Sequence, residues 1–105
     1  MIGYQISFFT VQGRRHQHMS LAEWLIYSAR ELGIRGATII AASEGYGHDK
    51  SIHSAHFFEL ADQPQVVIMV ASEDEMHKIF ELLTQENIKL FYVKTPVEFG
   101  VTGED

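Results

Sequence analysis

Two tetrads constrain this chain more than anything else in it: Ser20-Leu21-Ala22-Glu23 and Ser72-Glu73-Asp74-Glu75. Each has the spacing of a capping box, in which the serine side chain takes a free helical N–H and the glutamate reaches back to the serine N–H. Each is therefore a signal to start a helix. After the first, Leu21, Trp24, Leu25, Ala29 and Leu32 recur at helical spacing until Gly33 stops the run. After the second, Met76, Ile79, Phe80 and Leu83 line one helical face. The segments around them read as strands. Residues 4–11 alternate, with Tyr4, Ile6 and Phe8 on one side and Gln5, Ser7 and Phe9 on the other. Ala37–Ala42 and Val66–Ala71 are apolar on both faces, and Ile88–Val93 makes a last strand that Pro96 should end. The order is β-α-β-β-α-β. This is the α+β, ferredoxin-like sandwich: an antiparallel four-stranded sheet with both helices on one face. Residues 1–105 suit a single domain of this kind.

Helices on one face leave the other face of the sheet bare, and a bare antiparallel face should alternate apolar and polar. Here Val66 to Ala71 is apolar throughout, Phe91 and Val93 face opposite to Leu90 and Tyr92, and Phe9 adds a further ring. A contiguous apolar patch of this sort marks an interaction surface, so the chain should be a homo-oligomer, with Met69 buried between subunits. The connection from Ser43 to Gln65 is long for so small a domain. Within it, His56-Phe57-Phe58-Glu59-Leu60 is the part expected to be ordered.

Composition removes several classes of function. The formal charge of −6 is opposite to that of a general nucleic-acid binder. No apolar run reaches the roughly 18 residues of a membrane span, and Met1-Ile2-Gly3-Tyr4-Gln5 does not open a secretory signal. Without cysteine there are no disulfides, thiolate metal sites or cysteine nucleophiles. A cytoplasmic protein is expected. One local exception to the acidic balance is Arg14, Arg15, His16 and His18, a basic cluster suited to an anion.

Several strings, in order, resemble the PII family of signalling proteins. Gly33-Ile34-Arg35-Gly36-Ala37-Thr38 followed by Glu44-Gly45-Tyr46-Gly47 resembles the PII passage from first helix to large mobile loop. Pro64-Gln65-Val66-Val67-Ile68 stands in the place of its third strand. Lys89-Leu90-Phe91-Tyr92-Val93, then Pro96-Val97-Glu98 and Thr102-Gly103-Glu104, is similar to its fourth strand and tail. The Glu-Gly-Tyr-Gly, Ile-His-Ser and Phe-Phe-Glu-Leu segments resemble a short bacterial PII-like branch. The resemblance implies a PII-like homotrimer with ligand clefts between subunits, a nucleotide or other small anion as ligand, and a loop presented to a protein partner. A membrane transporter or channel is the partner it suggests. Departures bear on the ligand: Gln85-Glu86-Asn87-Ile88 replaces the glycine-rich phosphate turn, and Phe99-Gly100-Val101 has none of the tail arginines. No tyrosine for nucleotidylation lies between His48 and Leu60.

The candidate ligand-binding residues are accordingly Arg14, Arg15, Glu44, Gly45, Tyr46, Gly47 and Lys89. Lysine is a compact charge suited to a phosphate oxygen, and Lys89 matches the PII phosphate lysine. The glycines flanking Tyr46 permit close backbone approach to a ligand. His48, Lys50, His53 and His56 are the candidate partner-facing residues of the loop. The histidines match no standard metal-ligand spacing, so no metal site is assigned, although a divalent-cation-responsive trimer like the CutA proteins is the alternative reading. Ser51, Ser54, His53 and Glu44 supply hydrolase residue types without a converging arrangement, and the chain is read as a regulator and not an enzyme.

Overall fold

The computed structural model describes residues 1–42, 44–46, 52–54 and 63–104. Strand β1 (Ile2–Val11) leads through two very short strands, β2 (Arg15–His16) and β3 (Met19–Ser20), into helix α1 (Leu21–Glu31). Then follow β4 (Gly36–Ala41), the short pair β5 (Glu44–Tyr46) and β6 (Ile52–Ser54), β7 (Pro64–Ala71), α2 (Glu73–Gln85) and β8 (Phe91–Glu98). The main sheet has the order β4-β7-β1-β8, antiparallel at each junction. This is the ferredoxin-like arrangement expected from the order of elements.

The two halves end their helices in the same way and begin them on a serine cap, with the reciprocal glutamate bond present in α2. Ser72 makes the full capping box: its Oγ accepts the Glu75 N–H at 3.3 Å, and its own N–H donates to Glu75 Oε1 at 2.9 Å. Ser20 Oγ likewise accepts the Glu23 N–H, at 3.1 Å. At the far ends, Gly33 (φ 83°) and Asn87 (φ 55°) take the left-handed conformation. Ile34 N–H then reaches Ala29 O and Ile88 N–H reaches Leu83 O, each at 2.9 Å, while the preceding amides bond Arg30 O and Thr84 O. These are Schellman stops, with Asn87 serving where glycine is usual.

Helix α1 lies over β4 and β7, and α2 over β1 and β7. Between them and the sheet are Ile6, Phe8, Leu21, Leu25, Val67, Met69 and Ile79, all fully buried. Met69 is thus a core residue, contrary to the expectation that it lies between subunits. An unbroken apolar run has no alternation from which to read which side faces the helices. The register settles it: Met69 is opposite Ile6 and Ala37, so Val66, Ile68 and Val70 take the bare face.

That bare face is apolar, as the sequence implied. Phe9 and Phe91 are opposite one another with ring centroids 5.6 Å apart, and Ile40 and Val93 flank the strip. All four are exposed in the single chain.

One further expectation changes. The last strand starts at Phe91, not Ile88, and continues through Pro96 to Glu98. Proline is tolerated because β8 is an edge strand, paired among the described residues with β1 alone. The basic segment after β1 forms a hairpin, β2 pairing with β3. The stretch from Ser43 to Gln65 contains the β5–β6 pair; residues 56–60, expected to be its ordered part, lie outside the described residues.

Candidate functional site

Chain direction collects the predicted residues at one end of the molecule. Strand β1 ends there, because Val11 pairs with Pro64 at the start of β7 and Ala41 at the end of β4 pairs with Gln65. Phe91, the first residue of β8, pairs with Phe9 near the same end. Helix α1 starts at this end, and α2 returns to it. So Arg14, Arg15, the β5 segment Glu44–Tyr46 and Lys89 share one end, together with His53, opposite Gly45 in β6. Gly47, His48, Lys50 and His56 lie outside the described residues.

The residues are not all at one point. Lys89 is exposed in the connection before β8, and Glu44–Tyr46 follows β4, so they flank opposite edges of the sheet. Three strand spacings of about 4.8 Å separate those edges by about 14 Å. Within one chain a small anion does not bridge them.

The basic cluster is held by its own fold. Gln17 and His18 both have positive φ, 50° and 69°, which is the two-residue turn that suits a tight hairpin. Arg15 Nη2 donates to His18 O at 2.7 Å across it. The tip is fastened to the end of α2. His16 Nε2 lies 2.9 Å from Glu86 Oε1, and Gln17 Nε2 donates to the same oxygen at 2.9 Å. The His16 ring also stands edge-on to Trp24, centroids 4.7 Å apart. Glu86, in the stretch that the sequence resemblance sets against the PII glycine-rich turn, is occupied with holding the hairpin, and Asn87 with stopping α2.

Arg14 is tied down by its backbone: its N–H donates to Val11 O and its carbonyl accepts the Leu21 N–H. Arg15, in contrast, lines a cleft of about 390 Å³ on the helix side of this end. Gln12, His18, Met19, Ser20, Glu23, Ile39 and Gln65 complete the lining. Sequence reasoning missed Glu23 and Gln65 as site residues. Glu23 reads as a capping residue, and Gln65 as the end of a connection. Among the described residues no cluster of three or more metal-binding side chains occurs.

The sequence profile of DUF190 (Uncharacterized ACR, COG1993) matches residues 3–98. The chain belongs to this family. A curated relative of this DUF190 chain is a UPF0166 protein of Aquifex aeolicus (strain VF5), 28% identical over 84% of this chain and 92% of that protein. Among solved structures, a PII-like signalling protein from Thermus thermophilus superposes with a TM-score of 0.68 at 17% identity, covering 92% of this chain and 88% of that one. CPII, a nitrogen regulatory PII-like protein from Thiomonas intermedia K12, gives 0.66 at 18% identity, covering 96% and 91%. That structure is bound to ADP, AMP and bicarbonate. The fold of the DUF190 chain is therefore PII-like, in agreement with the resemblance read from its sequence. Among the described residues no helix is long and apolar enough to cross a membrane.

Proposed function

We propose that the chain is a PII-like regulatory protein, a homotrimer that binds a small anionic metabolite, a nucleotide foremost, in clefts between its subunits. The observation that carries the reading is the pairing of an exposed apolar sheet face with ligand candidates split between the two edges of one end. The apolar face favours assembly. Assembly in turn supplies a neighbouring chain that brings a Lys89 to a cleft edge formed by another chain's Glu44–Gly47 segment. Arg14 and Arg15 add positive potential at the same end. The adenine nucleotides and bicarbonate bound by CPII support this choice of ligand class. In this reading the loop carrying His48, Lys50, His53 and His56 meets a protein partner, a membrane transporter or channel, in the cytoplasm. Ligand binding biases which surface it presents. The protein regulates and does not catalyse.

The test is a thermal-shift panel of ADP, AMP, ATP, bicarbonate, phosphate and divalent metal salts on the wild type and Lys89→Ala. A ligand that prefers the folded assembly raises its melting temperature. Lys89→Ala should weaken nucleotide binding by about 1–3 kcal/mol, the usual worth of a hydrogen bond to a charged group. Silence of every anion, with a shift from a divalent metal alone, would replace this reading by the metal-responsive one.

A further inference from the structure

The two outer edges of the main sheet differ in what they offer a neighbour. At the β8 edge, Phe99 N–H donates to Met1 O and the Met1 amine donates to Phe99 O, each at 2.8 Å. This is a bonded pair, and in an antiparallel ladder bonded and non-bonded pairs alternate. Counting back in the β1–β8 register, Val97, Thr95, Val93 and Phe91 spend their N–H and C=O on β1. Tyr92, Lys94, Pro96 and Glu98 turn theirs outward, so the amide that proline lacks is one that β1 does not use. At the β4 edge, Ala42 N–H donates to Pro64 O at 2.8 Å. By the same alternation Gly36, Thr38 and Ile40 bond to β7, while Ala37, Ile39 and Ala41 turn outward. Among the described residues β4 pairs with β7 alone. It holds neither charge nor proline, two of the devices that keep an edge from pairing, and all of it but Ala37 is exposed. β4 is an open place for a further strand.

The chain itself supplies a strand that fits, β8 of a second copy. In a ring whose axis runs along the strands every copy points the same way, so β4 of one subunit meets β8 of the next antiparallel. Three conditions then select one register. The bare faces must be continuous, which sets Thr38 and Ile40 opposite Val93, Thr95 or Val97 and never opposite Tyr92 or Lys94. Of the registers that satisfy this, the one with Ala41 opposite Tyr92 and Gly36 opposite Val97 keeps the whole of β4 within β8. That same register sets Arg35, just before β4, against Glu98, the last residue of β8, both exposed. A slip of two residues either way puts Arg35 against Pro96 or Gly100 instead.

We infer that β4 of each subunit pairs antiparallel with β8 of the next, Ile40 beside the partner's Val93 and Arg35 beside the partner's Glu98. A head-to-tail contact closes into a ring when its rotation allows, here with the helices outside and the apolar face inside. The partner's Pro96 offers its carbonyl to the Ala37 N–H, so the Ala37 carbonyl alone goes without a strand donor. Continued past the strand ends, the register directs the partner's Lys89 toward the position of Glu44. The separation of about 14 Å within one chain is thereby replaced by a single strand spacing of about 4.8 Å. This pairing rests on the homo-oligomer reading above and supplies the geometry of its cleft.

The chain has no cysteine, so introduced thiols report the register without interference. Thr38 and the partner's Thr95 form a non-bonded pair, with Cα atoms about 4.5 Å apart and within disulfide reach. Within one chain these positions lie on opposite edges of the sheet, so any link between them joins subunits. Under mild oxidation the full-length Thr38→Cys/Thr95→Cys variant should link into covalent dimers and trimers, and nothing larger, on a non-reducing gel. Thr38→Cys/Val93→Cys and Thr38→Cys/Val97→Cys put the thiols on diagonals of about 7–8 Å and should link at least about tenfold more slowly. Arg35→Glu and Glu98→Arg should each lower the association constant by about tenfold, and the double reversal should restore it, a rescue that damage to the fold would not give. Equal linking at all three cysteine pairs, linking at none, links that stop at dimers, or a double reversal without rescue overturns the pairing. If light scattering still finds a wild-type trimer in that event, the edge contact fails and the assembly reading stands; a monomeric wild type removes both.

Discussion

Phe91→Asp separates folding from assembly. Phe91 is the first residue of β8, on the bare face, and is 49% exposed in the single chain. About half of an aromatic side chain of roughly 200 Å² is thus available for burial against a neighbour, or about 100 Å². At about 25 cal/mol per Å² this contributes about 2.5 kcal/mol per chain to assembly. That corresponds to nearly two decades in an association constant. The aspartate also brings a carboxylate into a surface that must dry as subunits meet, which adds a further penalty. Within the single chain the variant also loses the half of the ring that is already buried, about 2.5 kcal/mol by the same coefficient, part of it against the cross-strand partner Phe9. Such a pair contributes about 0.5–1.5 kcal/mol beyond its burial. Light scattering after size exclusion should therefore find a trimer for the wild type and a monomer for the variant at micromolar concentration, with unchanged far-ultraviolet circular dichroism. A monomeric wild type, or a Phe91→Asp variant of wild-type size, would refute the assignment of this face to assembly.

Two further substitutions probe the rest of the scaffold. Met69→Ala removes a fully buried side chain from between sheet and helices and should cost about 2–5 kcal/mol in urea unfolding, while leaving the native protein assembled. Asn87→Val puts a β-branched residue at a φ of 55° and should cost about 1–3 kcal/mol, whereas Asn87→Gly should be neutral or slightly stabilising in the same assay.

Much of this fold is legible in the sequence because its signals are local. Ser20 and Ser72 cap the helices that their tetrads announce, and Gly33 ends α1 where the apolar spacing stops. What escapes is long-range. The run Val66–Ala71 shows a strand without showing its phase, so the expectation for Met69 falls on the wrong face. Pro96 reads as a terminator, yet only the pairing of β8 on a single side makes it compatible with a strand. The hairpin at Arg15–Ser20 has strands of two residues, too short for any periodicity. Its turn is Gln17-His18, residues that do not usually signal positive φ. Tertiary contacts stabilise it instead: the shared bonds to Glu86 and the packing of His16 on Trp24.

The candidate site divides along the same line. Arg15 and Lys89 stand out in an acidic sequence as residue types, and the order of elements is enough to bring them to one end. Which of them faces a cleft is another matter, because that depends on what each side chain is already bonded to. His16 and Arg15 are neighbours in one basic cluster, but His16 is engaged by Glu86 while Arg15, among the described residues, spends one donor on the His18 carbonyl. Glu23 and Glu75 occupy the same place in two similar tetrads. Only Glu75 has its carboxylate bound back to the serine, and Ser20 is instead a strand residue opposite Arg15. The hairpin, by drawing Ser20 into β3, makes the two halves chemically unequal. It places beside the start of α1 a guanidinium that the matching position of α2 does not have.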